Sequence, residues 1–185
     1  LHQLSGHPES TMAVAYDPQG LTFASGSGDG TVRIWDAQTL ACTKILRGHT
    51  NSINALAYSP NGKYLISGGD DRLIGIWDLQ RGRRVQVLHG HNDRIRGLAY
   101  HPHGHLIASA SEDSTVSIWN LQDNTPVRTL IQHPNRAIAV AFDPRGAILA
   151  SGGIDGQILL WNIETGKRSH SLTGHEGWIL SLTYS

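Results

Sequence analysis

The chain has 185 residues, with fifteen basic and fifteen acidic side chains and no formal net charge. Balanced charge gives no electrostatic reason to expect nucleic acid or an anionic membrane as the main partner, and no apolar run approaches the ~20 residues that span a bilayer. A lone cysteine, Cys42, forms no internal disulfide, and the opening LHQLSGHPES has no basic region followed by an apolar core, so a soluble, intracellular, cytoplasmic protein without a signal peptide is expected.

In chain order, LHQL reads as a short strand leading into a turn at Gly6-His7. TMAVAY follows as an apolar strand ending in an aromatic. DPQG then turns the chain, because Pro presets the bend and Gly accepts positive φ. LTFASGS is the next strand, GDG a tight turn, and TVRIWD the strand after it. TKILRGH returns to Gly-His and the order begins again. The Trp residues at 35, 77, 119 and 161 lie 42 apart, as do the His residues at 7, 49, 91, 133 and 175. The segments AYDPQGLTFASGSGDGTVRIWD, AYSPNGKYLISGGDDRLIGIWD, AYHPHGHLIASASEDSTVSIWN and AFDPRGAILASGGIDGQILLWN align without insertion or deletion. Strands this short, punctuated by Gly, Pro, Asn and Asp and without helical periodicity between them, predict an all-β fold of antiparallel sheets.

The Gly-His turn, the Asp before the last strand and the closing Trp-Asp resemble the WD40 repeat, and the resemblance covers essentially the whole chain. It implies a β-propeller of four-stranded antiparallel blades set radially around a channel. The strand before each Gly-His is assigned to the blade formed by the three strands that follow it. This gives blades at 1–36, 43–78, 85–120 and 127–162, and a partial fifth blade at 169–185. Each blade is expected to hold a hydrogen-bonded tetrad: His7, Ser25, Asp29 and Trp35; His49, Ser67, Asp71 and Trp77; His91, Ser109, Asp113 and Trp119; His133, Ser151, Asp155 and Trp161. The chemistry is plausible by itself, because a buried indole N–H, hydroxyl and imidazole each need a partner. Asn120 and Asn162 replace the final Asp, Gln132 replaces the Gly before His133, and Pro follows His7 and His133.

Three sharper chemistries compete with this reading. Ser, His and Asp together suggest a hydrolytic triad, yet four copies each carrying a Trp favour structure, and no Gly-x-Ser-x-Gly elbow joins a strand to a helix. SGSGDG at residues 25–30 lacks the Lys-Ser/Thr ending and following helix of a phosphate loop. His101, His103 and His105 imitate a metal clamp, but they align with Asp17, Gln19 and Leu21 of the first repeat. They are expected to be solvent-facing turn positions without a metal role. No cofactor, no metal site and no enzyme activity are expected within these residues. Cys42 is expected near solvent as a plain thiol.

The resemblance places partner contacts at the third and fifth residues after each His and at the residue before each tetrad Asp. The candidates are Asp70, Arg94, Arg96, Glu112 and Arg136, followed by the apolar Ile138, Ile154, Trp178 and Leu180. Apolar anchors beside arginines have the composition of a protein-binding hot spot. The competing structural reading is that Arg94 and Glu112 pair across turns and that Trp178 packs in a neighbouring blade. The expected function is a non-catalytic protein–protein interaction scaffold working through the channel mouth. The alternative is a sensor or regulatory region of a larger NTPase- or kinase-linked protein with catalysis elsewhere. Four blades and a remainder leave apolar faces open, so further blades, in the same chain, are expected to close the ring.

Overall fold

Among the described residues, the runs of β-branched and aromatic residues in each repeat form sixteen short strands in four antiparallel sheets. The computed structural model describes residues 5–122, 126–130 (backbone only) and 133–184. The first sheet is β1 (Thr11–Tyr16), β2 (Thr22–Ser27), β3 (Thr31–Asp36) and β4 (Cys42–Arg47), and the second is β5 (Ile53–Tyr58), β6 (Tyr64–Gly69), β7 (Ile74–Asp78) and β8 (Arg83–Leu88). The third is β9 (Ile95–Tyr100), β10 (Leu106–Ser111), β11 (Val116–Asn120) and β12 (Pro126–Leu130), and the fourth is β13 (Ala137–Phe142), β14 (Ile148–Gly153), β15 (Ile158–Asn162) and β16 (Arg168–Leu172). Within each sheet the strands pair in chain order.

This pairing corrects the blade boundaries expected above. The strand before each Gly-His closes the preceding sheet and does not open the following one. Thus β4 pairs with β3, Thr31 opposite Arg47, and the sheets span 11–47, 53–88, 95–130 and 137–172. The cause is a tight hairpin turn after each Trp. Asp36 Oδ1 accepts the backbone N–H of Gln38 at 3.0 Å and of Thr39 at 2.6 Å. Leu40 (φ 61°), Gly82 (φ 65°) and Gly166 (φ 67°) hold the left-handed position that folds the chain back. Asn162 Oδ1 accepts the Thr165 N–H just as the aspartates do, so the Asp-to-Asn replacement there leaves the turn intact, and Asn120 Oδ1 likewise accepts from Gln122. Residues 168–172, expected to begin a fifth blade, are therefore the outer strand of the fourth sheet. Only 173–184 runs beyond it. Residues 1–4, expected as the first outer strand, and Ser185 lie outside the described residues.

The sheets interlock through three cores. Val32 and Ile34 of the first sheet cluster with Ile53, Leu65 and Trp77 of the second. Ile74 and Ile76 meet Ile107 and Trp119 in the same way, and Val116 and Ile118 meet Leu149 and Trp161. Each of these Trp residues thus faces the preceding sheet. The corresponding face of the first sheet is open, with Met12, Val14 and Tyr16 exposed. Close approach between sheets depends on paired sizes. A Cβ on Gly26 would stand 2.7 Å from Ile53 Cγ2, one on Gly68 2.7 Å from Ile95 Cγ2, and one on Gly152 2.3 Å from Ile179 Cγ2. At the third junction the pair is instead Ala110 and Ala137, both fully buried. Glycine–isoleucine and alanine–alanine fill the same space by different divisions of volume. Ile179 donates its N–H to Gly153 O at 3.0 Å, which seats residues 178–182 against the fourth sheet.

The histidine triplet also departs from expectation, because His101 is buried at 5% exposure. In the first and fourth sheets a turn carboxylate, Asp17 or Asp143, accepts the N–H two residues later. His101 does this with Nδ1, accepting from His103 N at 3.2 Å, while its Nε2–H donates to Gly146 O of the fourth sheet at 3.0 Å. The ring lies edge-on to Phe142, with centroids 5.1 Å apart. Both ring nitrogens are engaged by protein atoms, and among the described residues no group of three side chains is placed to hold a metal ion. Burial holds His101 below the ordinary imidazole pKa, against the Gly146 hydrogen bond; His105 and His103 depress it further and Asp143 opposes them. A depressed imidazole contributes stability that is present above the ordinary value of about 6.5 and is lost as the pH falls through the lower folded value. His101→Ser keeps a turn acceptor, as at Ser59, and removes the titration. Urea midpoints measured from neutral down to about pH 5 are expected to fall less steeply in this variant than in the natural protein.

Candidate functional site: four buried tetrads and a charged rim

The tetrads form because antiparallel registry sets Ser25, Ser67, Ser109 and Ser151 beside the returning Trp strand, while the Gly-His loop carries the imidazole in from the preceding outer strand. In the third sheet Trp119 Nε1–H donates to Ser109 Oγ at 2.8 Å. Ser109 Oγ lies 2.6 Å from His91 Nε2, and His91 Nδ1 lies 2.9 Å from Asp113 Oδ2. The other three sets have the same connections, with Trp-to-Ser distances of 2.7 to 2.8 Å. An indole can only donate and a carboxylate only accepts, so the serine proton goes to His Nε2 and the imidazole carries its own on Nδ1. Donation then runs in one direction, Trp to Ser to His to Asp, each bond polarising the next.

The four sets are not equal. Asp71 and Asp113 also accept the backbone N–H of the residue after the His, from Thr50 at 3.1 Å and Asn92 at 2.8 Å. Pro8 and Pro134 have no such N–H to give. Thr31 and Thr115 add hydroxyl donors to Asp29 and Asp113 at 2.7 and 2.6 Å, where the second and fourth sheets have Leu73 and Gln157. Asp113 thus collects the fullest set of donors. Burial alone would raise its carboxyl pKa, but hydrogen bonds from His91, Thr115 and Asn92 outweigh burial and hold it well below the usual carboxylate range. Asp29 and Asp71 are lowered by the same balance, burial opposing and hydrogen bonds prevailing. The fourth set is the loosest, with His133 Nδ1 3.3 Å from Asp155 Oδ2. Burial pushes the His133 imidazole toward its neutral form, against the pull of Asp155. The threonine hydroxyls join the network through an Asp-x-Thr spacing visible in the sequence.

As a hydrolytic centre this arrangement is closed in the covered sheets. Ser67, Ser109 and Ser151 are fully buried and each Oγ is already occupied by an indole N–H, which leaves no approach for a substrate carbonyl there, whereas Ser25 and His7 line a cavity on the open face of the first sheet. What the geometry supplies is a tie between the loop leaving the outer strand of one sheet and the middle strands and tight turn of the next.

Those loops carry the candidate rim. Arg94 Nε stands 3.6 Å from Asp70 Oδ2, linking the second and third sheets. Glu112 is taken from both sides, by Arg96 Nε at 3.2 Å and by Arg136 Nη1 of the fourth sheet at 3.3 Å. Arg94 and Glu112 meet through the backbone, Glu112 N–H donating to Arg94 O at 2.9 Å, while their side chains take other ion-pair partners. Asn54 is an additional rim member, donating to Asp70 Oδ1 at 2.7 Å and to Ile95 O at 3.1 Å. Arg96, Ile138 and Leu180 line the central opening between the inner strands β1, β5, β9 and β13. Ile154 is half-buried, its N–H donating to Arg136 O at 3.0 Å, while Trp178 and Leu180 are 66% and 68% exposed. Cys42 is exposed at the start of β4.

Radial four-stranded antiparallel sheets, each packed by its Trp face on the one before, define an arc of a β-propeller. The model of the WD domain, G-beta repeat, matches residues 1–36, 40–78, 82–120 and 124–162, and the chain belongs to the WD40 family. These matched segments follow the sequence repeat, which is offset by one strand from the sheets. Similar proteins include Protein Mut11 of Chlamydomonas reinhardtii, 53% identical over 38 residues that cover 20% of this chain and 10% of that protein. The Notchless protein homolog of Arabidopsis thaliana is 50% identical over 36 residues, 20% of this chain and 8% of its own length. WD repeat-containing protein 90 of Xenopus tropicalis is 53% identical over 47 residues, 22% of this chain and 2% of its own. The chain thus spans a tenth or less of each of these relatives.

If the serine hydroxyl is the centre of the tetrad, Ser109→Ala leaves the Trp119 N–H and His91 Nε2 unpaired in a buried site. The expected loss is roughly 1–3 kcal/mol for each of the two groups, read as a lower urea midpoint with an unchanged slope.

Proposed function

We propose that the chain is a non-catalytic protein-interaction scaffold whose partner seats on the channel-mouth rim formed by Asp70, Arg94, Arg96, Glu112, Arg136, Ile138, Ile154, Trp178 and Leu180. WD40 repeats generally serve as protein-interaction scaffolds, and the observation that carries the reading to this face is its composition. A bracketed ion-pair cluster lies beside two large, well-exposed apolar side chains, Trp178 and Leu180. Solvated apolar groups next to guanidinium donors are the elements from which interface hot spots are built. The tetrads hold the loops that present them.

The open Trp face of the first sheet, with Met12, Val14 and Tyr16, fits cover by a further blade, as the faces of the second, third and fourth sheets are covered by their neighbours. An exposed, unpaired Cys42 fits a reducing compartment such as the cytoplasm. No described helix is long and apolar enough to cross a membrane.

Arg96→Glu and Trp178→Ala, made separately in the full-length protein, are each expected to weaken affinity capture of its partner about tenfold or more, as hot-spot truncations do. Capture unchanged by both substitutions would show that the partner binds elsewhere.

A further inference from the structure

Resting on the rim reading above, we propose that the rim is selective for an acidic peptide segment carrying a large apolar side chain. Three guanidinium groups from the third and fourth sheets, on Arg94, Arg96 and Arg136, stand along one stretch of the mouth. The equivalent positions of the first two repeats hold Ser10, Ser52, Met12 and Asn54. The acidic residues among these arginines are already committed. Asp70 accepts from Asn54 and faces Arg94, Asp93 accepts the backbone N–H of Arg94 at 2.8 Å, and the Glu112 side chain is only 8% exposed between its two arginines. The arginines are not used up in the same way. Arg94 and Arg96 approach their carboxylates through Nε, and among the described residues the terminal nitrogens of neither donate a hydrogen bond to protein. Arg136 approaches Glu112 through Nη1 at 3.3 Å. The Arg94 and Arg136 side chains are 54% exposed and Arg96 is 34% exposed.

The paired terminal nitrogens of arginine are the fork that meets a carboxylate in bidentate fashion, and a guanidinium held in place loses less freedom on doing so. Glu112 supplies that hold by fixing Arg96 and Arg136 side by side. The rim thus turns its carboxylates inward and its free donors outward, although the chain as a whole is neutral. Beyond Arg136 the same two loop positions continue as Trp178 and Leu180, both strongly exposed, with Ile138 lining the opening. A ligand that satisfies both halves carries carboxylates at one end and an apolar anchor at the other. A basic segment would meet the guanidinium groups unfavourably, and a purely apolar one would leave their donors in competition with water.

Two fluorescein-labelled peptides that differ only in charge, EEDLFEE and QQNLFQQ, distinguish this from charge-blind binding by fluorescence anisotropy on the full-length protein. The acidic peptide is expected to bind about tenfold or more tightly at low salt, and most of that advantage is expected to disappear at high salt. Arg96→Gln combined with Arg136→Gln is expected to abolish the preference. Arg94→Gln, at a half-exposed site held by one long ion pair, is expected to reduce it several-fold even if the double variant fails to fold. Trp178→Ala is expected to weaken both peptides alike. Equal binding of the two peptides, with Trp178→Ala weakening both, would overturn the acidic selectivity while the rim reading stands. A preference unchanged by Arg94→Gln and by the double variant, or no binding of either peptide, would overturn it as well.

Discussion

A buried serine hydroxyl that accepts from tryptophan and donates to histidine is the interaction on which each blade depends. With one proton to give, it fixes the direction of the whole network. The indole must be the donor on one side, the imidazole must present a bare Nε2 on the other, and the proton on Nδ1 must then go to the aspartate. The aspartate, accepting from the imidazole and from its own tight turn, anchors the inner loop. The Gly-His segment arrives from the outer strand of the preceding sheet, so the network binds neighbouring blades as well as the strands of one. In the second, third and fourth sheets it places chemistry resembling a hydrolytic triad at a site where substrate has no entry.

Between blades the constraint is volume. The glycine–isoleucine pairs at three junctions and the alanine–alanine pair at the third-to-fourth sheet junction solve the same packing problem. The third-to-fourth sheet junction differs from the others on both faces. On the mouth side Glu112 bridges Arg96 and Arg136, and on the opposite side His101 bridges its own turn to Gly146. The fold is thus repetitive in its framework and individual at one junction, where the charged part of the rim also lies.

Much of this was legible in the sequence because the repeat is regular. A 42-residue period without insertions places every strand and every tetrad member by register. The blade boundary is less accessible, since a sequence repeat has no natural starting point. The signal for it lies in the hairpin after Trp35, Trp77 and Trp161, where Asp36, Asp78 and Asn162 cap a turn too tight to do anything but return the chain onto the same sheet. His101 shows a different limit. Its register siblings Asp17 and Asp143 suggest an exposed polar position, and its burial comes from Phe142 and Gly146 of another sheet, contacts that no local pattern contains. The rim residues were placed by spacing, but not their pairing. That Arg94 faces Asp70, while Glu112 holds both Arg96 and Arg136, depends on side-chain reach across sheets.

The directional network is tested most directly by nitrogen-15 NMR of the histidine rings in the folded protein near neutral pH. For His49 and His91 the expected result is a neutral ring protonated on Nδ1 and bare on Nε2, with the Trp77 and Trp119 indole protons protected from exchange. Nε2-protonated rings, or indole protons exchanging as fast as those of an unfolded chain, would contradict it.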